Sequence, residues 1–393
     1  MKDLPRILML HNRYDIRGGE DESTDCEFRL LRDRGHDITF LEAHNTEIGR
    51  SISRASTAVS ALWSRRWNAR VAETLQGGGY DILHVQNFFP LISPSVYWAA
   101  RAAGVPVVQA VRNYRLVCPS ANLFRDGQLC TDCLGTALKL PGIRHRCYRD
   151  SAIGSATVAA VSAGHRALGT WRRKVTTFAA ISDYVKQTLV KDGFPAENIA
   201  VKPNFVEVPG VSAPMPADKR SHLLYVGRLT REKGLDVLIE AYRASGVNVP
   251  LKLVGEGMVD GLSEVRGVEI LGRQPLAEVY RLMAESLCVV MPGRWPEPFG
   301  RVAIEAFAAG TPVIASALGG ISEIVQTDRN GFLVPAGDVA GFAGRIRQIV
   351  EDRALGNRLA VAALQDFHDH YSADGNYKSL MGIYREAIAR DCQ

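Results

Sequence analysis

Leu287–Ser316 reads LCVVMPGRWPEPFGRVAIEAFAAGTPVIAS. An apolar run, LCVVMP, ends at Pro292, a proline-rich loop follows, a helical stretch starts at Arg301, and a second apolar run, TPVIAS, closes the unit. Short apolar runs bounded by Gly and Pro are the mark of buried parallel strands, and the helix between them is a crossover. The same rhythm runs outward in both directions. RILML, DITFL, DILHV, VPVVQAV and TTFAAIS alternate with helical stretches in the first half, and HLLYVG, LKLVG, VEILG and GFLVP do so around the opening stretch. The expectation is two doubly wound α/β domains.

A chain of 393 residues is long for one hydrophobic core, which agrees with two domains. The join is read at Val201–His222, where Pro203, Pro209, Pro214 and Pro216 interrupt a stretch without periodicity. The first domain is therefore placed at 1–205, with an irregular, cysteine-rich segment at 112–171, and the second at 206–372. The segment 373–393 is expected to be an amphipathic helix, with Leu380, Ile383, Tyr384, Ala387 and Ile388 on one face, returning to pack on the first domain.

Composition excludes several classes. At 46% hydrophobic and 23% charged residues, with a net charge of +5, the chain is an ordinary globular protein, and no nucleic-acid-binding motif is present. No window approaches the ~20 apolar residues of a membrane span. The expected location is cytoplasmic, with its seven cysteines reduced or metal-bound rather than bridged.

In open α/β sheets, ligands bind at the carboxyl ends of strands, where helix N-termini present amides. Four stretches occupy such places. HNRYDIRGGED follows the first strand and carries Gly18 and Gly19. YVGRLTREKG places Arg228 and Lys233 beyond a strand, a fork and a point charge suited to a diphosphate. The opening stretch places Glu297 in a loop, Phe299 and Gly300 at a helix start, and Glu305 on the second turn of that helix. ALGGISEIV turns into a helix at Gly319 and Gly320. A carboxylate at Glu305 amid Ala303, Ile304, Ala306 and Phe307 has two readings. One is an i,i+4 pair with Arg301, worth only ~0.3 kcal/mol. The other, favoured here, is an acceptor for two neighbouring hydroxyls such as those of a ribose.

Together GRLTREKGLDVLIEA, PEPFGRVAIEAFAAGTPVIAS, the GG of ALGGISEIV and NGFLVPAGD resemble glycosyltransferase family 4, the retaining nucleotide-sugar glycosyltransferases of the GT-B fold. The resemblance is densest from Leu223 to Pro335, and the Glu-x7-Glu spacing of Glu297 and Glu305 is the hallmark of that family. It implies two facing Rossmann-like domains with a cleft between them. It also implies that Arg228 and Lys233 hold a donor diphosphate (of UDP or GDP type), that Glu297 meets hydroxyls of the transferred sugar, and that amides near Phe299 and Gly300 face the donor. Glu305 would bind ribose, the backbone near Arg273 would touch the base, and Gly18 and Gly19 would close over the phosphates. No catalytic cofactor is implied, since side-chain cations and a helix dipole replace a metal. The acceptor would be a glycan or a lipid-linked sugar in bacterial cell-surface polysaccharide or glycolipid synthesis. A sugar-nucleotide epimerase of similar architecture and a non-catalytic sugar-binding relative remain alternatives.

The chain departs from the family at VRNYRLVCP, where Arg112 stands in place of a histidine, and at LHVQNFFP, which keeps His84 but has Gln86 where a second histidine is common. Three readings follow on this acceptor side: Arg112 as a further anion contact, a site routed through His84 or Asn113, or weak catalysis. The first is favoured. Cys118, Cys130, Cys133 and Cys147, with one C-x-x-C pair and His145 as a substitute ligand, suit a structural zinc or an iron–sulfur site, or remain unliganded thiols. WSRRWNAR (63–70) and HRALGTWRRK (165–174) mix tryptophan with arginine, which suits either helices at the inner face of a membrane or solvated surface helices.

Overall fold

The computed structural model describes residues 4–207, 213–257 and 265–391. Part of the expected join, 208–212, lies outside them. The chain divides into two compact units. One comprises Met1–Leu123, Cys130–Pro203 and Asn376–Gln393. The other comprises Phe124–Leu129 and Asn204–Gly375.

The strands run in chain order β1 (Ile7–Arg13), β2 (Ile38–His44), β3 (Ile82–Asn87), β4 (Val107–Val111), a two-residue hairpin β5 (Phe124–Arg125) and β6 (Gln128–Leu129), then β7 (Thr177–Ala180) and β8 (Ile199–Val201). Apart from the hairpin these form one parallel sheet in the order β2-β1-β3-β4-β7-β8. β3 and β4 are buried along their whole length, as strands covered on both faces by crossover helices must be.

The second unit continues with β9 (His222–Val226), β10 (Leu251–Val254), β11 (Val268–Gly272), β12 (Ser286–Met291), β13 (Val313–Ser316) and β14 (Gly331–Val334). Its parallel sheet has the order β11-β10-β9-β12-β13-β14. In sequence terms that is 3-2-1-4-5-6, the dinucleotide-fold order, whose strand direction of growth reverses between β9 and β12. In the first unit the reversal falls between β1 and β3. A crevice at the carboxyl ends is created at each reversal, because the flanking crossovers depart to opposite faces.

The helix Ala373–Asp391 packs on the first sheet: Leu380, Ile383, Tyr384 and Ala387 are buried against Ile7, Met9, Ile82 and Val108. The segment expected to be irregular as far as Trp171 is in fact helical from Ala152 to Ala167. Ser151 caps that helix, its hydroxyl accepting from the Gly154 amide at 3.0 Å. Gly154 and Gly164 dilute its helical signal, and small residues let it be buried without a large apolar stripe.

Candidate functional site

In the second unit, three loops meet at the carboxyl ends of β9, β12 and β13. The loop after β9 turns through Gly234 at φ 75°, and a Cβ there would lie 1.8 Å from the Pro292 carbonyl oxygen at the end of β12. Only glycine permits that approach. The two loops are also joined by the Arg294 amide donating to the Glu232 carbonyl (3.0 Å) and by the Arg294–Asp236 ion pair (2.8 Å). Beyond β13, Gly319 adopts φ 86°, a Cβ there would meet the Glu297 carbonyl oxygen at 2.4 Å, and the Gly320 amide donates to that oxygen at 2.7 Å. The backbone of Glu297 is thus held from a neighbouring loop.

This scaffold brings Lys233 and Glu297 together, Nζ to Oε2 at 2.7 Å, each side chain about a quarter exposed. The ammonium lies 4.7 Å from the centroid of the Trp295 ring, a cation–π contact. One of its three N–H donors goes to Glu297, which leaves two for a ligand. Arg228 is 67% exposed, with Glu232 at 3.6 Å as its acid neighbour, and its backbone carbonyl accepts from the Tyr225 hydroxyl at 2.6 Å. Burial pushes the Tyr225 phenol well above its ordinary pKa, so it stays a donor.

Gly300, at φ 111°, starts the helix Arg301–Ala308, and Phe299 is buried edge-on to Tyr371. Glu305 is 8% exposed and accepts from Arg301 Nε at 2.8 Å. The i,i+4 pair is therefore present, and it fixes the carboxylate's orientation. Arg273 lies exposed just past β11, at the same carboxyl edge but two strands from β9. Thr230 Oγ1, Trp295 Nε1 and Ser316 Oγ are buried without a hydrogen-bond partner among the described residues. Buried polar atoms are ordinarily paired, so these three atoms, in the loop after β9, the loop after β12 and the end of β13, are available to a polar ligand or to water.

The first unit distributes its expected residues differently. Gly18 is extended (φ −131°) and caps the helix Gly19–Asp33, whose first turn carries Glu20, Asp21 and Glu22. Its amide donates to the Asp21 carboxylate at 3.2 Å, and His11 Nε2 is 2.7 Å from the same side chain. This helix start is already met by acid from its own chain. His84 is wholly buried, with Nδ1 2.6 Å from the Tyr384 hydroxyl, and burial pulls its pKa down to about 4. Arg112 is 8% exposed, and its charge has internal partners: it donates to the Gln86 side-chain oxygen and lies 3.4 Å from Glu27. Asn113 donates to Glu20 at 2.9 Å.

Glu27 is the residue that sequence reading missed. Burial opposes its charge, but Lys202 at 2.6 Å, His84 and Arg112 hold its carboxyl far below the usual range. Gln86 also donates to it at 2.6 Å. An acid among Cys26, Phe28, Leu30 and Leu31 was the available signal, of the same kind as Glu305.

Among the described residues, no group of three or more His, Cys, Asp or Glu side chains is arranged to hold a metal ion. Cys118, Cys130, Cys133 and Cys147 form no disulfide, and burial pushes the Cys133 thiol up to about 11, with Cys118 and Cys147 close enough to add to the shift. Of the two tryptophan–arginine stretches, Trp67 and Trp171 are buried while Trp63 is 38% exposed.

Two family profiles match the chain: "Glycosyl transferase 4-like domain" over residues 27–204 and "Glycosyl transferases group 1" over 213–366. A glycogen synthase of Mycobacterium tuberculosis is 35% identical over 165 residues, a match that spans 39% of this chain and only 40% of that enzyme. An uncharacterized 42.6 kDa protein in the cps region of Klebsiella pneumoniae is 25% identical over 80% of this chain and 85% of its own. The crystal structure of Anabaena HepE in complex with UDP and glucose superposes with a TM-score of 0.66 at 20% identity, covering 96% of this chain and 98% of that one. With two parallel α/β units of this topology and both profiles matched in order, the chain belongs to the family-4 type of glycosyltransferases and has their GT-B fold.

Proposed function

We propose that the protein transfers a sugar, with retention of configuration, from a nucleoside-diphosphate sugar to a glycan or lipid-linked acceptor. The observation that carries this reading is the Lys233–Glu297 pair, held by two glycine-dependent loop contacts at the strand reversal of a 3-2-1-4-5-6 sheet. A cation and a carboxylate 2.7 Å apart suit a ligand that carries phosphate at one end and hydroxyls at the other.

In this reading Lys233 and Arg228 bind the diphosphate and stabilise the negative charge that grows on it as the sugar departs. The N-terminus of the helix Arg301–Ala308 adds roughly half a positive charge, presented through amides at Phe299 and Gly300. Glu297 accepts from sugar hydroxyls, and Glu305, oriented by Arg301, accepts from the ribose. Charges fixed before the reaction cost no reorganisation during it, which is why such groups dominate rate enhancement. The departing phosphate oxygen takes the acceptor proton on the face it leaves, so no separate general base is required. Because the leaving group is stabilised by the chain's own cations, turnover is expected to persist in EDTA.

UDP is the first nucleotide to try, because HepE was crystallised with it. The Klebsiella relative supports a role in surface polysaccharide synthesis. Contact with an anionic membrane fits Val59, Leu62, Trp63 and Leu168, exposed beside Arg65, Arg66, Arg172 and Arg173. Among the described residues no helix is long and apolar enough to cross a bilayer. The test is incubation with a panel of UDP-, GDP- and ADP-sugars, following nucleotide release and the anomeric configuration of any product by NMR. Release of nucleotide with an α-linked product supports the proposal. Inversion, epimerised donor, or no reaction with any donor contradicts it.

A further inference from the structure

The first unit holds a cavity of about 290 Å³ lined by Tyr14, Asn45, Phe89, Arg115, Tyr148 and Arg149, among others. Tyr14 follows β1, Asn45 follows β2, Phe89 follows β3 and Arg115 follows β4. The cavity therefore lies at the carboxyl ends of the strands that flank the reversal between β1 and β3, where this sheet order opens a crevice. Its outer wall, Ser120, Asn122, Cys147, Tyr148 and Arg149, comes from the cysteine-rich segment. Nothing in the donor reading uses it.

Its chemistry is one-sided. Two arginines line it and no acidic side chain does. Arg115 stacks on Phe89, 4.8 Å from the ring centroid, and Arg149 stacks on Tyr148 at 5.5 Å, while the two rings meet edge to face at 5.9 Å. Stacking holds each guanidinium plane without consuming its N–H donors. Arg115 Nε is buried and finds no hydrogen-bond partner among the described residues; one terminal nitrogen approaches the Tyr14 hydroxyl at 3.4 Å. Tyr14 itself donates to Glu20 at 2.9 Å; that carboxylate does not line the cavity, although its charge reaches Arg115. Arg144 and Arg146 add exposed positive charge on the stretch leading to Cys147. The volume is at the low end of the roughly 300–1,000 Å³ of small-ligand sites, room for one ring and its substituents.

We propose that this cavity is the acceptor subsite and that it selects a sugar bearing an oxyanion, either a phosphate or a carboxylate. The proposal rests on the glycosyltransferase reading for the word acceptor, but anion-selective sugar binding by the cavity is measurable without it. The arginine fork takes the oxyanion, the Phe89–Tyr148 platform takes the ring, and Asn45, Ser120 and Asn122 take hydroxyls. The anion contact that the sequence assigned to Arg112 passes to Arg115, because Arg112 is buried and tied to Gln86 and Glu27 and does not line the cavity, whereas Arg115 does.

The test uses the full chain and three probes: methyl glucoside, glucose 6-phosphate and glucuronate, titrated by ligand-observed NMR at low and high salt. UDP thermal shift in the same samples reports on the donor site and on folding. The expected result is at least tenfold tighter binding of one or both anionic probes than of the neutral one, weakened by salt and lost in Arg115→Gln. Phosphate preference and carboxylate preference distinguish a phosphorylated from a uronic-acid acceptor. Arg149→Gln, at an exposed position, gives a partial loss and keeps the test valid if Arg115→Gln does not fold. Equal binding of all three probes, binding of none, or a preference that survives both substitutions overturns the proposal. Loss of the UDP shift in the unmodified protein with anion-selective binding intact would instead overturn the donor reading alone.

Discussion

Two acids sit where apolar residues are expected, and they do different things. Glu305 is fixed by Arg301 on the helix Arg301–Ala308, at the proposed donor site. Glu27 closes a buried set with Lys202, Arg112 and Gln86. Removing one partner of a buried ion pair leaves the other charge uncompensated, which typically costs ~3–5 kcal/mol. Glu27→Gln is accordingly expected to lower the unfolding free energy, measured by urea titration, by an amount of that order, while Glu297→Gln, about a quarter exposed, leaves it nearly unchanged. Activity should report the reverse for the donor residues. Lys233→Ala removes a preorganised charge and is expected to lower kcat by ~10²–10³ with little change in stability. A Lys233→Ala protein that turns over normally would remove that ammonium from the mechanism.

At the scale of elements, the proposed donor site depends on backbone contacts more than on side chains. Gly234 against Pro292 and Gly319 against Glu297 are approaches that a methyl group would block. Gly319→Ala combines that clash with a left-handed φ, so the loop must shift and carry Glu297 with it. The expected outcome is a fall in kcat/KM of at least tenfold in a steady-state assay, larger than any fall in thermal stability would explain. Eleven strands and their order of appearance were legible in the sequence as short unbroken apolar runs, whereas the three-residue β8 and the two-residue hairpin strands β5 and β6 are too short to carry such a signal. The helix Ala152–Ala167 was not, because its small residues and two glycines carry no period. Lys233, Arg228 and Glu297 were recognisable by type and position, but Trp295, which meets the Lys233 ammonium, and Tyr225, which holds the Arg228 carbonyl, look like ordinary core aromatics until the loops are seen to converge. The cluster at Glu27 draws on a helix, β3, β4, the end of β8 and the C-terminal helix, and no local spacing connects these.

For the whole molecule, each unit contains a histidine held neutral. Burial pulls His84 in the first unit and His222 in the second down to about 4, from 6.5. The fold therefore resists their protonation, and between pH 6.5 and about 4 the unfolded chain binds more protons than the native one. Stability is expected to fall as pH drops through that window, by up to about 3 kcal/mol per histidine. Urea unfolding at pH 7 and pH 5 measures it, and His84→Gln should flatten the dependence contributed by the first unit. The central claim concerns the second unit: a nucleoside diphosphate sits at the carboxyl ends of β9 and β12, held by Lys233 and Arg228 without help from a divalent ion. Isothermal titration of UDP, GDP and ADP in EDTA tests it most directly. Saturable one-to-one binding of at least one of them is expected, weakened tenfold or more by Lys233→Ala. Binding that appears only when magnesium is restored, or that is indifferent to Lys233, would contradict it.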